Sequence, residues 1–147
     1  EVATHVGAVL CKRSEAECQA MADYGRHIGA AFQIIDDVLD YAGDKAITGK
    51  NIGDDLAEGK PTLPLIHVLQ HGSDAEKALV KQALTSQENV NIDDIQAAIA
   101  STKAIDYVRK RAEAFAKKAE DSLAIIPDSD YKDALISLAR LSLQRES

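Results

Sequence analysis

The sequence has few of the residues that indicate a disulfide framework or a membrane segment. Its 147 residues include two cysteines, Cys11 and Cys18, which form no CxxC pair and are typical of buried thiols in a reducing compartment. No apolar run reaches the length of a membrane span, and the chain does not start with the charged and then apolar stretch of a secretory signal. We therefore expect a soluble, cytoplasmic protein with no integral membrane segment.

The sequence also has fewer basic than acidic residues. The 17 lysines and arginines are outnumbered by 24 aspartates and glutamates, which gives a net charge of −7 and an isoelectric point near 5.0. A protein that follows a nucleic-acid backbone or an anionic membrane needs a surplus of positive charge. The composition therefore argues against nucleic acid as a partner and favours a cationic or metal-bridged one.

Patterns typical of β-strands are nearly absent, and apolar residues recur at helical spacing along the chain. The pattern is present from Val2 with no capping residue before it, so we expect the chain to begin within a helix. Capping boxes at Ser14–Glu17 and Ser73–Glu76 mark two helix starts, and Thr62 is predicted to cap another. The predicted helices cover 15–42, 62–72, 73–85, 92–100, 103–126 and 130–144, with a loop at 43–61 and a polar joint at 86–91. This pattern predicts an all-α fold in which residues 1–147 form a single unit.

One helical stretch, AAFQIIDDVLDYAGD at residues 30–44, combines strong apolarity with four aspartates. At 100° per residue its polar groups share an arc of about 100°. These groups are Gln33, Asp36, Asp37, Asp40 and Asp44. The remaining arc is apolar and contains Phe32, Ile34, Ile35, Val38, Leu39 and Tyr41. We interpret this stretch as a mostly buried helix that presents a stripe of carboxylates to a cavity.

Carboxylates at this spacing repel one another, and burying them without a partner costs more still. A divalent cation removes the conflict. Mg²⁺ is the natural candidate because it prefers carboxylate oxygens and commonly takes its other ligands from a substrate phosphate. The metal hypothesis falls on Asp36, Asp37 and Asp40. The alternative is an acidic helix face that is simply solvated.

The segment that follows carries four glycines, Gly43, Gly49, Gly53 and Gly59, and three lysines. On a mobile loop, Lys45, Lys50 and Lys60 could act as point charges that close over phosphate oxygens. The nearby acidic run Asp54-Asp55-Leu56-Ala57-Glu58 is a weaker metal candidate, because the glycines on either side limit it to a single turn.

FQIIDDVLDY followed by GKNIGDDLAEGKPTLPL resembles the second aspartate-rich region of trans-polyprenyl diphosphate synthases, most closely the bacterial octaprenyl diphosphate synthases. The resemblance extends from YGRHIGAAFQ to ALISLARLSLQR and implies the C-terminal part of the helical isoprenoid synthase bundle. It implies that Asp36 binds Mg²⁺ held against the allylic diphosphate and that Asp37 and Asp40 act directly or through water. The residues that it assigns to substrate binding are Gln33, Lys50 and Lys60.

The resemblance also implies a reaction. Mg²⁺ neutralises the leaving diphosphate of an allylic prenyl diphosphate such as farnesyl diphosphate, and isopentenyl diphosphate attacks the allylic cation. The expected product is a long-chain all-trans polyprenyl diphosphate, octaprenyl for quinone side chains, made by a homodimer. The family's earlier aspartate-rich motif, its neighbouring arginines and a Lys-Thr pair are absent from the 147 residues. We therefore expect the chain to be the C-terminal half of such an enzyme and to be inactive alone.

Two other hypotheses remain open. A class I terpene cyclase relative would use Mg²⁺ in a similar way, although it usually carries a different second metal motif. A non-catalytic helical subunit or cation-binding interaction module would account for the acidic stripe without chemistry. His67 and His71, four residues apart, are interpreted as a helix-surface pair and not as zinc ligands.

Overall fold

The structure is a computed structural model that describes residues 1–42, 53–86 and 91–144. Across these ranges it contains helices and no strand, which confirms the all-α prediction. The helices are α1 (Val2–Leu10), α2 (Glu15–Ala42), α3 (Asp54–Ala57), α4 (Leu63–His71), α5 (Asp74–Ser86), α6 (Ile92–Ser101), α7 (Ala104–Ser122) and α8 (Asp130–Leu141), with a 3-10 turn at Leu123–Ile125. Of the helices described, none has the length and apolar character needed to cross a bilayer.

Both predicted capping boxes are present. The Ser14 N–H donates to the Glu17 carboxylate at 3.0 Å, and the Glu17 N–H donates to the Ser14 hydroxyl at 3.3 Å. Ser73 and Glu76 make the same pair of bonds, at 2.6 and 3.3 Å. Each box satisfies backbone donors that have no partner within the helix, and this explains why α2 and α5 begin where the sequence predicts.

Three predicted boundaries differ from the structure. The helix expected over 103–126 ends at Ser122 and tightens into the 3-10 turn, because the residue before Pro127 is driven into an extended conformation. The last helix ends at Leu141 and not at Gln144. The loop expected over 43–61 includes the one-turn helix α3, which begins after Gly53 in the left-handed conformation with φ of 82°.

The chain divides into two compact units, which we describe separately; a single domain stays a prediction. The first unit is formed by Glu1–Ile35 and Lys110–Arg145. Its core contains Tyr24, Ala119, Leu123 and Ala139. The Tyr24 hydroxyl donates to the backbone oxygen of Leu135 at 2.9 Å, so the one polar group of this buried ring is satisfied.

The second unit includes Asp36–Arg109. Its core is built by α3 to α6 with the end of α2 and the start of α7, and it contains Tyr41, Leu56, Leu65, Val68, Val80, Ala83, Ile95, Ala98, Ile99 and Ala104. The ring of His67 is part of this unit: its Nε2 lies 3.2 Å from the Thr102 oxygen, and it stacks on Tyr107. The expectation of a histidine pair on the helix surface therefore holds only for His71, which is exposed.

In the first unit, α1 approaches α2 closely at Gly25. A Cβ atom at this position would lie closer to the Thr4 hydroxyl oxygen than the van der Waals contact distance allows, and 3.0 Å from the Glu1 Cα atom. The Thr4 hydroxyl is itself held by the Glu1 carbonyl at 2.8 Å, so it has little freedom to move aside. Gly29, one turn further along the same helix, would meet nothing within 4 Å.

We predict that Gly25→Ala lowers the free energy of unfolding by about 1–3 kcal/mol, because the added methyl group overpacks the α1–α2 contact. The matched control, Gly29→Ala, should raise it by about 0.5–1 kcal/mol, since alanine costs less conformational entropy than glycine in a helix. Urea unfolding of the two variants and the parent measures both effects. Equal stability of the two variants would contradict the close packing at Gly25.

Candidate active site

The acidic stripe of α2 is partly buried, and its members differ in exposure. Asp36 and Asp37 are partly buried, Asp40 is buried with 8 % of its surface exposed, and Gln33 is exposed. The opposite arc is buried as predicted, except for Leu39, which is partly buried, and Phe32, which is 43 % exposed. The stripe therefore becomes more deeply buried toward the C-terminal end of the helix.

Asp40 lies against the start of α3. Its backbone oxygen accepts a hydrogen bond from the Gly53 N–H at 3.0 Å, and its carboxyl group faces the backbone N–H groups of Asp54 and Asp55. The carboxyl oxygen Oδ2 is buried and has no hydrogen-bond partner among the residues described. Burial raises the pKa of Asp40 to about 6, with a further contribution from the negative charges of Asp55 and Asp54.

Asp37 caps the start of α4 from outside that helix. Its Oδ2 accepts a hydrogen bond from the Leu63 N–H at 3.3 Å. The sequence predicted that Thr62 would be the cap, and Thr62 does occupy the N-cap position, but its side chain makes no capping bond. The Thr62 hydroxyl instead donates to the Tyr41 hydroxyl at 3.3 Å, and Asp37 supplies the missing acceptor.

Two carboxylates of the stripe thus face the starts of two helices. The first N–H groups of a helix have no partner within the helix, and they carry a partial positive charge. Asp40 receives this charge from α3, and Asp37 receives it from α4. These contacts explain how the fold tolerates a partly buried acidic stripe, although one oxygen of Asp40 has no partner among the described residues.

Lys60, predicted to bind substrate, is 56 % exposed and already paired. Its Nζ atom lies 2.6 Å from Glu58 Oε2 and 3.0 Å from Asp55 Oδ1. Hydrogen bonds to Glu58 and Asp55 raise the pKa of Lys60 above its usual range. Exposed ion pairs of this kind contribute little to stability, so an arriving anion can displace them.

Three residues of the sequence prediction, Asp44, Lys45 and Lys50, lie outside the described residues. Gln33 is exposed on α2 and is available to solvent. The sequence did not predict the hydrogen bond between Tyr41 and Thr62, because Tyr41 was assigned to the apolar arc and its hydroxyl group was given no partner. Its i, i+4 spacing from Asp37 was the available signal, since it places both side chains on one face of α2.

The donors near Asp40 fit a hard cation. Over residues 1–42, 53–86 and 91–144, no three His, Cys, Asp or Glu side chains are arranged to hold a metal ion. However, the buried Oδ2 of Asp40 lacks a partner, and the carboxylates of Asp54 and Asp55 are close enough to raise its pKa. Carboxylate oxygens are the ligands that Mg²⁺ prefers. The assignment of the metal to Asp36, Asp37 and Asp40 stays a prediction.

The raised pKa of Asp40 predicts a pH-dependent cost to stability. Because its pKa is about 6 in the folded chain and 3.8 ordinarily, the free energy of unfolding should fall as the pH rises from about 4 to about 6. Asp40→Asn should abolish this fall and stabilise the protein at pH 7.5 by roughly 1–3 kcal/mol. Urea unfolding from pH 4.5 to 7.5 in EDTA measures the difference.

Asp106→Asn, which changes an exposed carboxylate on α7, is the control and should keep the pH dependence of the parent. Parallel pH profiles for the parent and Asp40→Asn would show that the Asp40 carboxylate is not held in an unfavourable environment.

Comparison with known proteins extends the sequence resemblance. The model of the family described as Polyprenyl synthetase matches residues 1–102. Octaprenyl diphosphate synthase of Haemophilus influenzae is 47 % identical over 146 residues, which are 99 % of this chain and 44 % of that protein.

Solved structures give the same result. Polyprenyl synthase of Caulobacter crescentus, complexed with calcium and isoprenyl diphosphate, matches 97 % of this chain and 44 % of its own with a TM-score of 0.87 and 35 % identity. Geranylgeranyl pyrophosphate synthase of Corynebacterium glutamicum, complexed with isoprenyl diphosphate and magnesium, matches 95 % and 40 % with a TM-score of 0.82 and 32 % identity. The chain spans less than half the length of each of these relatives. The sequence match and the shared helical fold together establish that the chain belongs to the polyprenyl synthetase family.

Proposed function

We propose that these 147 residues are the part of a trans-polyprenyl diphosphate synthase that carries the second aspartate-rich motif. The complete enzyme would condense isopentenyl diphosphate with an allylic prenyl diphosphate, such as farnesyl diphosphate, to give a long-chain all-trans polyprenyl diphosphate. The observation that carries this proposal is the buried carboxyl oxygen of Asp40, which has no partner among the described residues and lies on the acidic stripe of a polyprenyl synthetase chain. The similarity to the octaprenyl diphosphate synthase of Haemophilus influenzae supports an octaprenyl product. Its use for quinone side chains is what the sequence resemblance implies.

Asp36, Asp37 and Asp40 are the residues that would hold Mg²⁺. When bound there, Mg²⁺ supplies the positive charge that neutralises a leaving diphosphate. The stripe provides anionic oxygens on one face of α2, and Asp40 provides an oxygen with no competing partner among the described residues. The relative from Corynebacterium glutamicum that is complexed with isoprenyl diphosphate and magnesium supports this choice of metal.

Lys60 and Lys50 would bind diphosphate oxygens as point charges, and Gln33 would contact the substrate through its amide. Lys60 must first exchange Glu58 and Asp55 for the diphosphate. This exchange is inexpensive, because its ion pairs are exposed. The binding step therefore replaces two intramolecular carboxylates with a more highly charged anion.

Membership of the family favours the synthase over the two alternative hypotheses. Product analysis of the complete enzyme separates it from a class I terpene cyclase. Binding of a prenyl diphosphate that depends on Mg²⁺ separates it from a non-catalytic helical module. We further propose a homodimer in the cytoplasm, which the sequence alone suggested.

We predict that Asp36→Ala in the complete synthase lowers turnover by orders of magnitude and leaves the helix content nearly unchanged. The reason is that a ligand of the metal is lost from a side chain that is only partly buried. Asp23→Ala on the same helix is the matched control and should retain near-parental turnover, since Asp23 pairs with Gln19 and Arg26 away from the stripe. Near-normal turnover of Asp36→Ala would refute the metal assignment.

We also predict that the 147 residues alone do not elongate a prenyl chain, even with Mg²⁺ and both diphosphates supplied. Diphosphate departure needs carboxylates on two facing walls, and the chain offers one acidic triad on a long helix. Of the other acidic pairs described, Asp54-Asp55 and Asp93-Asp94 lie in the first turns of α3 and α6, where the helix dipole favours negative charge. The pair Glu120-Asp121 on α7 is bound by Arg140 and Lys117. Incorporation of radiolabelled isopentenyl diphosphate measures this, and robust elongation by these residues alone would contradict it.

A further inference from the structure

Two hydrogen bonds fasten the start of α4 to the end of α2. The Leu63 N–H donates to Asp37 Oδ2, and the Thr62 hydroxyl donates to the Tyr41 hydroxyl, each at 3.3 Å. Asp37 and Tyr41 are one helical turn apart and therefore project from the same face of α2. We call this pair of bonds the α2–α4 clamp.

The bond of the clamp between Tyr41 and Thr62 is built from buried groups. Tyr41 is 4 % exposed and Thr62 is 7 % exposed, so the bond between their hydroxyls is shielded from water. The Tyr41 ring packs in the core of the second unit, and its backbone oxygen accepts a hydrogen bond from Gln96 Nε2 at 3.0 Å. Loss of the Tyr41 hydroxyl would leave the Thr62 hydroxyl buried without this acceptor, which is costly.

A short, stiff turn links Thr62 to Lys60, so the position of Thr62 restrains the position of the Lys60 backbone. The Thr62 N–H donates to the Lys60 carbonyl at 3.0 Å across Pro61, whose ring fixes one of its two backbone angles. On its other side, the Lys60 N–H donates to the Asp55 carbonyl at 2.9 Å. The Lys60 backbone is therefore held between α3 and the start of α4, and only its side chain is free to exchange partners.

We propose that Tyr41 is a positioning residue for Lys60. Its hydroxyl group holds Thr62 against α2, and the Pro61 turn then fixes the position of Lys60 relative to the acidic stripe. This inference rests on the proposed role of Lys60 in binding diphosphate. Asp37 contributes the second contact, through the oxygen that accepts from Leu63. Tyr41 touches no reacting atom, and its effect on binding passes through Thr62 and Lys60.

A double-mutant cycle in the complete synthase tests this inference. Tyr41→Phe should raise the KM for the allylic diphosphate by about 3- to 10-fold, in line with the loss of one buried hydrogen bond, and should change kcat by less than about 2-fold. Lys60→Ala should raise the same KM. The double variant should resemble Lys60→Ala, because Tyr41 acts on KM only through that lysine.

Tyr24→Phe is the matched control. It also removes a buried tyrosine hydroxyl, the one that donates to the Leu135 oxygen in the first unit, and it leaves the clamp intact. If Tyr24→Phe changes KM at all, the KM of its double variant with Lys60→Ala should rise by the product of the two single-variant factors, as expected for independent residues. If Tyr41→Phe also multiplies with Lys60→Ala, Tyr41 is only a structural residue and the inference is overturned.

The partner of Tyr41 provides a second pair of variants. Thr62→Ser keeps the hydroxyl that donates to Tyr41 and should retain the parental KM. Thr62→Val removes that hydroxyl with little change in volume and should reproduce the KM of Tyr41→Phe. Equal KM values for the serine and valine variants would overturn the role assigned to this hydrogen bond.

Hydrogen exchange on the 147-residue chain separates failure of this inference from failure of the proposed function. The Leu63 amide should exchange about 3- to 10-fold faster in Tyr41→Phe than in the parent and stay unchanged in Tyr24→Phe, because only the former loosens the start of α4. Unchanged Leu63 exchange in Tyr41→Phe would refute the clamp itself. A complete synthase in which Lys60→Ala has no effect would instead refute the proposed function, and the exchange result would still decide the clamp.

Discussion

The buried carboxyl group of Asp40 is the constraint on which the second unit depends. A carboxylate at this depth must be neutralised, hydrogen-bonded or bound to a cation. The chain meets part of this need by returning after α2 and directing the first N–H groups of α3 at Asp40, with Gly53 in a left-handed conformation bonded to the Asp40 carbonyl. The remaining oxygen has no partner among the described residues. A positive charge placed beside it would therefore stabilise the ionised carboxylate.

The contacts around Asp40 join the end of α2 to α3 and α4. Asp37 caps α4 from α2, and the Thr62 side chain turns to Tyr41. Lys60 is held beside Asp55 and Glu58, so its positive charge balances carboxylates close to Asp40. A cation at the acidic stripe and a diphosphate at Lys60 would relieve both arrangements together, which couples metal and substrate binding through charge.

Burying the Asp40 carboxyl group lowers the stability of the folded chain. Side-chain capping at the starts of α5 and α6 and core burial in α4, α5 and α6 are regular, and the unfavourable contributions to stability concentrate at the end of α2. Unpaired buried charge and raised pKa values are common at functional sites, where the fold is stable enough to hold them. Under the proposed function this arrangement has a chemical purpose, since a cation at the acidic stripe and a diphosphate at Lys60 would balance its charges.

The sequence by itself determined the helical class, the starts of α2 and α5 and the acidic stripe, because capping boxes and helical periodicity depend on neighbours within a few residues. It also carried the family resemblance. Only the tertiary structure decided that Asp37 and not the Thr62 side chain caps α4, that α3 forms against Asp40, and that Lys60 is paired. These contacts join residues that lie up to 26 positions apart, and their partners depend on which groups the packed core brings within hydrogen-bond distance.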